Sequence, residues 1–293
     1  MSRLLLAAIL IAFIHMINTL IYSVRPAGVH TKRLAIAYSL FNVISLFAST
    51  ANLVLAPLMS SIVEHAIQRF IAANPGAEMA TIAETANYQA ELALLNQDFR
   101  LVIVAATVGT LVGIFLIPAF VRIFVRGIMW FDEVKSVPKM LTMLIFSPKR
   151  VVGLLRSLNM PKKDVVERVR DSKTKLPATF LWLNFIANGI FTTGVLSALY
   201  AGALFPEFRA TTTVLSGVVN GFATLMFAMV VDPTAAMITD QALRGERDQY
   251  DVKQMSFYLA VTRLGGTILA QVLFVPAAWI IQHTAMFIAH PPF

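Results

Sequence analysis

Two patterns are superimposed along the chain. Apolar runs lie at 4–24, 34–56, 101–125, 178–204, 211–231 and 257–281. Each meets the roughly 20-residue length that a helix needs to cross about 30 Å of hydrocarbon. Within these runs polar residues recur at helical spacing. His15, Asn18, Tyr22 and Arg25 are separated by three, four and three residues, and Tyr38, Asn42, Ser45, Ser49 and Asn52 by four, three, four and three. Residues so spaced stack on one helical face. The second half repeats the device with Asn184, Asn188 and Thr192, with Ser216, Asn220 and Thr224, and with Arg263, Thr267 and Gln271. The third span offers only Thr107 and Thr110. A polar group facing hydrocarbon without a partner is costly, so stripes on five of six spans predict a shared polar interior. For any single Asn, Ser or Thr the plainer reading is a hydrogen bond between helices, contributing about 1 kcal/mol or less. The predicted fold is an all-α integral membrane protein with six transmembrane helices.

The connections carry their own patterns. The stretch 57–100 is broken by Asn74-Pro75-Gly76; the apolar spacings Ile62, Ala66, Phe70 and Ile82, Ala86, Ala93 predict two amphipathic helices on the outer surface. In 122–177, Val151, Leu154, Leu155 and Leu158 form an apolar face beside Lys149, Arg150 and Arg156, as expected of an interfacial helix on anionic lipid. The segment after it, from Pro161 to Lys173, predicts a solvated, charged helix whose plain role is a topological anchor. Each half reads as span, short turn, span ending near proline (Pro57, Pro233), polar connection, span. Three spans per unit is odd, so the two copies would face opposite ways, the inverted-repeat plan of alternating-access transporters. Gly109-x-x-x-Gly113 and Gly217-x-x-x-Gly221 are close-packing motifs. A homo-oligomer is left open.

Composition narrows the class. Of 293 residues, 57% are hydrophobic and 14% charged, which excludes a soluble domain. The net charge of +8 needs no nucleic acid, because the cations gather on alternate connections. The turn 25–33 carries three, 122–177 thirteen and 232–256 three, nineteen together, against four on the other side. The positive-inside rule then predicts both termini outside and three basic connections in the cytoplasm. The Met-Ser-Arg start and its apolar run resemble a signal peptide, but the polar stripe and the lack of a small-x-small site argue for a retained helix. Without cysteine there is no disulfide, thiolate metal site or thiol catalysis.

Candidate chemistry rests on cations in or near apolar spans. Arg263 lies within the last span, where full-depth burial costs about 2.5–3.5 kcal/mol on insertion scales. Either it pairs with Asp232 or snorkels, or it meets an anion. Arg25 sits at the cytoplasmic end of span one, beside Lys32 and Arg33. These cations suit an anionic head group entering from the inner leaflet, although for Lys32 and Arg33 the positive-inside rule is sufficient. His15 is either a proton relay or a neutral, hydrogen-bonded core residue. Asp232 and Asp240 are eight apart and form a weak candidate metal pair. There is no nucleophile–base motif, phosphate loop or HExxH, so no cofactor, metal or catalytic residue is predicted.

The segments TLIYSVRPAGVHTKRLAIAYSLFNVISL (Thr19–Leu46), STANLVLAPL (Ser49–Leu58), VDPTAAMITD (Val231–Asp240) and TRLGGTILAQVLFVPAA (Thr262–Ala278) resemble the Amj family of lipid II flippases, the alternate to MurJ in bacterial cell-wall assembly. The chain departs from the family pattern at Asn18, where an acidic residue is common, and at Ser49, where a cation is. The resemblance implies a bacterial inner-membrane protein that moves undecaprenyl-diphosphate-linked peptidoglycan precursor to the outer leaflet. On that reading Arg25 and Arg263 contact the diphosphate, with Lys32, Arg33 and Asp232 nearby, while His15, Asn18, Tyr22, Asn42, Asn52, Asn188 and Asn220 line the path. Two competing readings stay open: a transporter of another anionic lipid or solute, and a membrane enzyme acting on a polyprenyl diphosphate.

Overall fold

The computed structural model describes residues 2–76, 79, 82–146 and 176–290, and every regular element among them is helical. Helix α1 (Arg3–Thr19) runs through a 3₁₀ turn (Leu20–Ser23) into α2 (Val24–Thr31). Then come α3 (Leu34–Ala73), α4 (Ala86–Val134), α5 (Val137–Phe146) and α6 (Ala178–Leu204). A 3₁₀ turn (Pro206–Phe208), α7 (Arg209–Val214), α8 (Ser216–Met226), a π turn (Phe227–Val231) and α9 (Asp232–Leu243) form one interrupted rod, and α10 (Gln249–Ala289) ends the chain. Six continuous stretches are long and apolar enough to cross a membrane: Arg3–Thr31, Leu34–Ala73, Ala86–Val134, Ala178–Leu204, Pro206–Leu243 and Gln249–Ala289. The protein is an all-α, multi-pass membrane protein.

Helix bounds differ from the hydropathy reading where apolar length and helix length part company. The expected turn at 25–33 is helical to Thr31. The reversal falls on Lys32, which takes the left-handed conformation (φ 55°) and caps α2 by donating its N–H to the Gly28 and Val29 carbonyls. Pro57 does not end its helix. α3 continues to Ala73, and α4 begins at Ala86, so the two amphipathic helices expected in 57–100 are prolongations of longer rods. At 1.5 Å per residue, 40 and 49 residues give about 60 and 74 Å, well beyond the hydrocarbon. Phe70 and Tyr88 meet edge-on at 5.1 Å and hold the two prolongations together. The expected interfacial helix at 149–158 and the charged helix after it lie outside the described residues.

In each half the first and third spans pack most intimately. α1 lies against α4 at Gly109, where a Cβ atom would fall 2.0 Å from the Ala12 carbonyl oxygen; only glycine permits this approach. α6 lies against α10 in the same manner, with Gly266 against the Phe185 carbonyl. Stacked and tilted rings of Phe99, Tyr200 and Phe274, 5.2–6.1 Å apart, join α4, α6 and α10 at the centre. The fifth span is the outlier. It rests chiefly on α6, with Asn220 over Gly194 and Thr212 over Gly202, and only 11% of its apolar window is buried against 22–50% for the others. It is also segmented. Pro233 has no N–H with which to continue the ladder, and the N–H of Asp232 reaches back five residues to the Phe227 carbonyl. Such π turns interrupt helices at functional positions.

Candidate functional site

The loosely packed fifth span leaves a seam between itself and α3. At the end of the bundle that holds α2 the seam widens into an open cavity of about 680 Å³, lined by Arg25, Tyr38, Asp232 and Asp240 with Leu34, Ala228, Ala236 and Met237. The first turn of α2 projects Arg25 into it. The guanidinium Nη2 is 3.8 Å from Asp232 Oδ1, Nη1 donates to Thr239 Oγ1 at 3.5 Å, and the carbon between them stands 5.6 Å from the Tyr38 ring centroid. Arg25 is only 14% exposed whereas Asp232 is 68% exposed. The buried cation thus has a loose, solvent-facing counter-ion beyond hydrogen-bond reach, an arrangement that gains little. An anion that accepts two parallel N–H bonds would hold Arg25 better.

A second cation lies deeper. Arg263 Nη1 donates to Asn188 Oδ1 at 3.0 Å, Asn188 Nδ2 donates to the Asn184 carbonyl at 2.7 Å, and Asn184 Nδ2 donates to Thr262 Oγ1 at 2.7 Å. Arg263 Nε is buried and has no hydrogen-bond partner. Among the described residues no carboxylate stands within 4.0 Å of this guanidinium. His15 is buried and lies 3.4 Å from Thr110 Oγ1 through Nδ1. Ten residues separate His15 from Arg25 along the first stretch, a helical rise of about 15 Å.

The remaining polar residues fall into three settings. Asn42 and Asn52 are exposed on α3. Their face runs from Tyr38, in the cavity, through Ser45 and Ser49 to Ser60 and Val63, which line a smaller cavity of about 320 Å³ at the other end of the seam. The α3 stripe therefore connects two openings. Asn18 and Tyr22 are half-buried, and Tyr22 packs on the apolar cluster of Val29 and Val231. Asn220 instead turns towards α6, its side-chain oxygen seated at Gly194, buried and without a hydrogen bond. Lys32 and Arg33 are exposed and line neither cavity, and Arg33 lies 3.7 Å from Asp132 of α4. Tyr38 and Thr239 were invisible as Arg25 partners in the sequence, although Tyr38 belongs to the α3 stripe. Among the described residues no group of three or more His, Asp or Glu is placed to hold a metal. Asp240 is engaged by Arg244.

A largely covered arginine beside an open cavity, with another within the bundle, suits an amphipathic anion. A family model described as Amj, Alternate to MurJ, matches residues 10–285. The chain belongs to the Amj family. The lipid II flippase Amj of Bacillus subtilis (strain 168) is 32% identical over 268 residues, 92% of this chain and 91% of that one. No solved structure matches this Amj-family chain.

Proposed function

We propose that this Amj-family protein is a lipid II flippase, moving the undecaprenyl-diphosphate-linked disaccharide-pentapeptide from the inner to the outer leaflet of the bacterial cell membrane by alternating access. The observation that carries the reading is Arg25: a largely covered cation, incompletely neutralised, lining an open cavity between α3 and the fifth span. The relative of like length that bears the name lipid II flippase supports the substrate. With both termini outside, the Arg25 cavity faces the cytoplasmic leaflet, where the precursor's diphosphate would displace Asp232 from Arg25. Arg263 is the second diphosphate contact. Asn42, Asn52 and the serines between them offer hydrogen bonds to sugar and peptide, while the polyprenyl tail stays in lipid through the open seam. His15, Asn18, Tyr22 and Asn188 support this path from the α1 and α6 sides. Outward movement of an anion runs with an inside-negative potential, about 2.3 kcal/mol per charge per 100 mV, so the potential itself can drive the step.

The test is rescue of cells depleted of their main lipid II flippase, with lipid II exposure at the outer face as readout. Arg25→Ala and Arg263→Ala each abolish rescue at unchanged protein level. Full rescue by both variants removes the phosphate site. Should lipid II fail to accumulate when the protein and the main flippase are both lost, the substrate is another anionic lipid or solute. A chemically altered lipid product that requires divalent metal would assign an enzyme built on Asp232 and Asp240.

A further inference from the structure

The α3 seam has two ends, and the end remote from Arg25 carries a second ion pair that the reading above leaves unused. Arg209, the first residue of α7, places Nη2 4.0 Å from Glu64 Oε1 on the prolongation of α3. Both side chains are a little over two-fifths exposed. They line the smaller cavity with Ser60, Thr213 and Val214. The connectivity of the two pairs is reciprocal. In chain order Arg25 lies between the first and second apolar runs and meets Asp232, just past the fifth; Arg209 lies between the fourth and fifth runs and meets Glu64 on α3, past the second. Each pair therefore joins one three-span unit to the other, and exchanging the units exchanges the pairs. The intimate α1–α4 and α6–α10 packings exchange in the same way, with α4 against α10 between them.

We propose that the Glu64–Arg209 cavity is an exit site for a phosphate-bearing head group, the counterpart of the Arg25 site across an approximate two-fold axis in the membrane plane. The inference rests on the flippase reading. Inverted units place equivalent sites at opposite membrane faces, and the α3 stripe, Asn42 to Asn52, runs from one to the other. Arg209 receives the anion on the outer side; Glu64 holds the guanidinium when no anion is present and displaces the departing phosphate. The loose 4.0 Å separation suits such exchange, as does the 3.8 Å separation at the inner end. The fifth span carries a member of each pair, Arg209 at its start and Asp232 near its far end, so its limited burial lets one rod serve both openings.

The chain has no native cysteine, so Thr213→Cys, in the outer cavity, is a unique label site. Purified Thr213→Cys protein in nanodiscs is treated with a polar maleimide, alone and with added lipid II or undecaprenyl diphosphate. Both lipids slow labelling at least threefold; Arg209→Gln removes the protection and Arg209→Lys keeps most of it. Labelling unchanged by both lipids, or full protection in Arg209→Gln, overturns the exit site, while lipid II exposure by the wild-type chain in cells would leave the flippase reading intact. Protection by undecaprenyl diphosphate but not by lipid II, together with no lipid II exposure in cells, overturns the flippase reading and keeps the phosphate site.

Discussion

Replacing Arg263 with methionine separates structure from transport, because the two roles predict opposite signs for stability. Methionine keeps most of the side chain's length and removes the charge. The hydrogen bond lost to Asn188 (3.0 Å) contributes about 0.6–1.7 kcal/mol within a membrane bundle. The charge removed costs about 2.5–3.5 kcal/mol at full depth on insertion scales, and here no carboxylate of the described residues stands within 4.0 Å of it and Nε is unpartnered. The difference is a gain of about 1–3 kcal/mol. Thermal unfolding of the purified protein should move up by a few degrees, with membrane level at or above wild type, while rescue of flippase-depleted cells is lost. Arg263→Lys should restore part of the rescue. If Arg263→Met unfolds more readily than wild type and still rescues, Arg263 is a structural anchor and the second phosphate contact does not exist.

The two glycine motifs offer a contrast of packing. Gly109→Val drives a side chain into the Ala12 carbonyl and should lower protein level severely, as overpacking between helix backbones does. Gly217→Val and Gly221→Val enter open space and should leave the level unchanged; immunoblots of membranes compare them. Burial raises the pKa of Asp98 on the outer prolongation of α4, against a smaller opposing influence from the Arg69 charge. A raised folded-state pKa makes the ionised form unfavourable, so the contribution of Asp98 is lost as pH rises through that pKa. Asp98→Asn should therefore stabilise the protein at pH 7, with the gain disappearing below the usual carboxylate range, as thermal unfolding across pH would show.

How much of the site was legible can be argued residue by residue. Spacing put His15, Asn184 and Asn188 on inward faces, and all three are buried in hydrogen-bonded contacts. Spacing also put Asn42, Asn52 and Asn220 on polar faces, but could not say that the α3 pair would remain exposed while Asn220 seats at Gly194. A helical period gives the direction of a side chain relative to its own axis and is silent on what stands opposite. Glu64 and Arg209, 145 positions apart, left no local signal at all.

Six apolar lengths, the polar stripes and the alternation of basic connections are properties of the chain by itself, because bilayer thickness and backbone hydrogen bonding act on each segment separately. Which helices touch was decided by tertiary structure. Gly109-x-x-x-Gly113 and Gly217-x-x-x-Gly221 have the same spacing, yet one is closed against α1 and the other faces open space. The α3 seam, the loose neutralisation of Arg25 by Asp232 and the Arg263–Asn188 contact arise from that choice of neighbours. In a membrane, where lipid is as apolar as leucine, helix association depends on close shape and on polar pairing, and both are relations between distant parts of the chain.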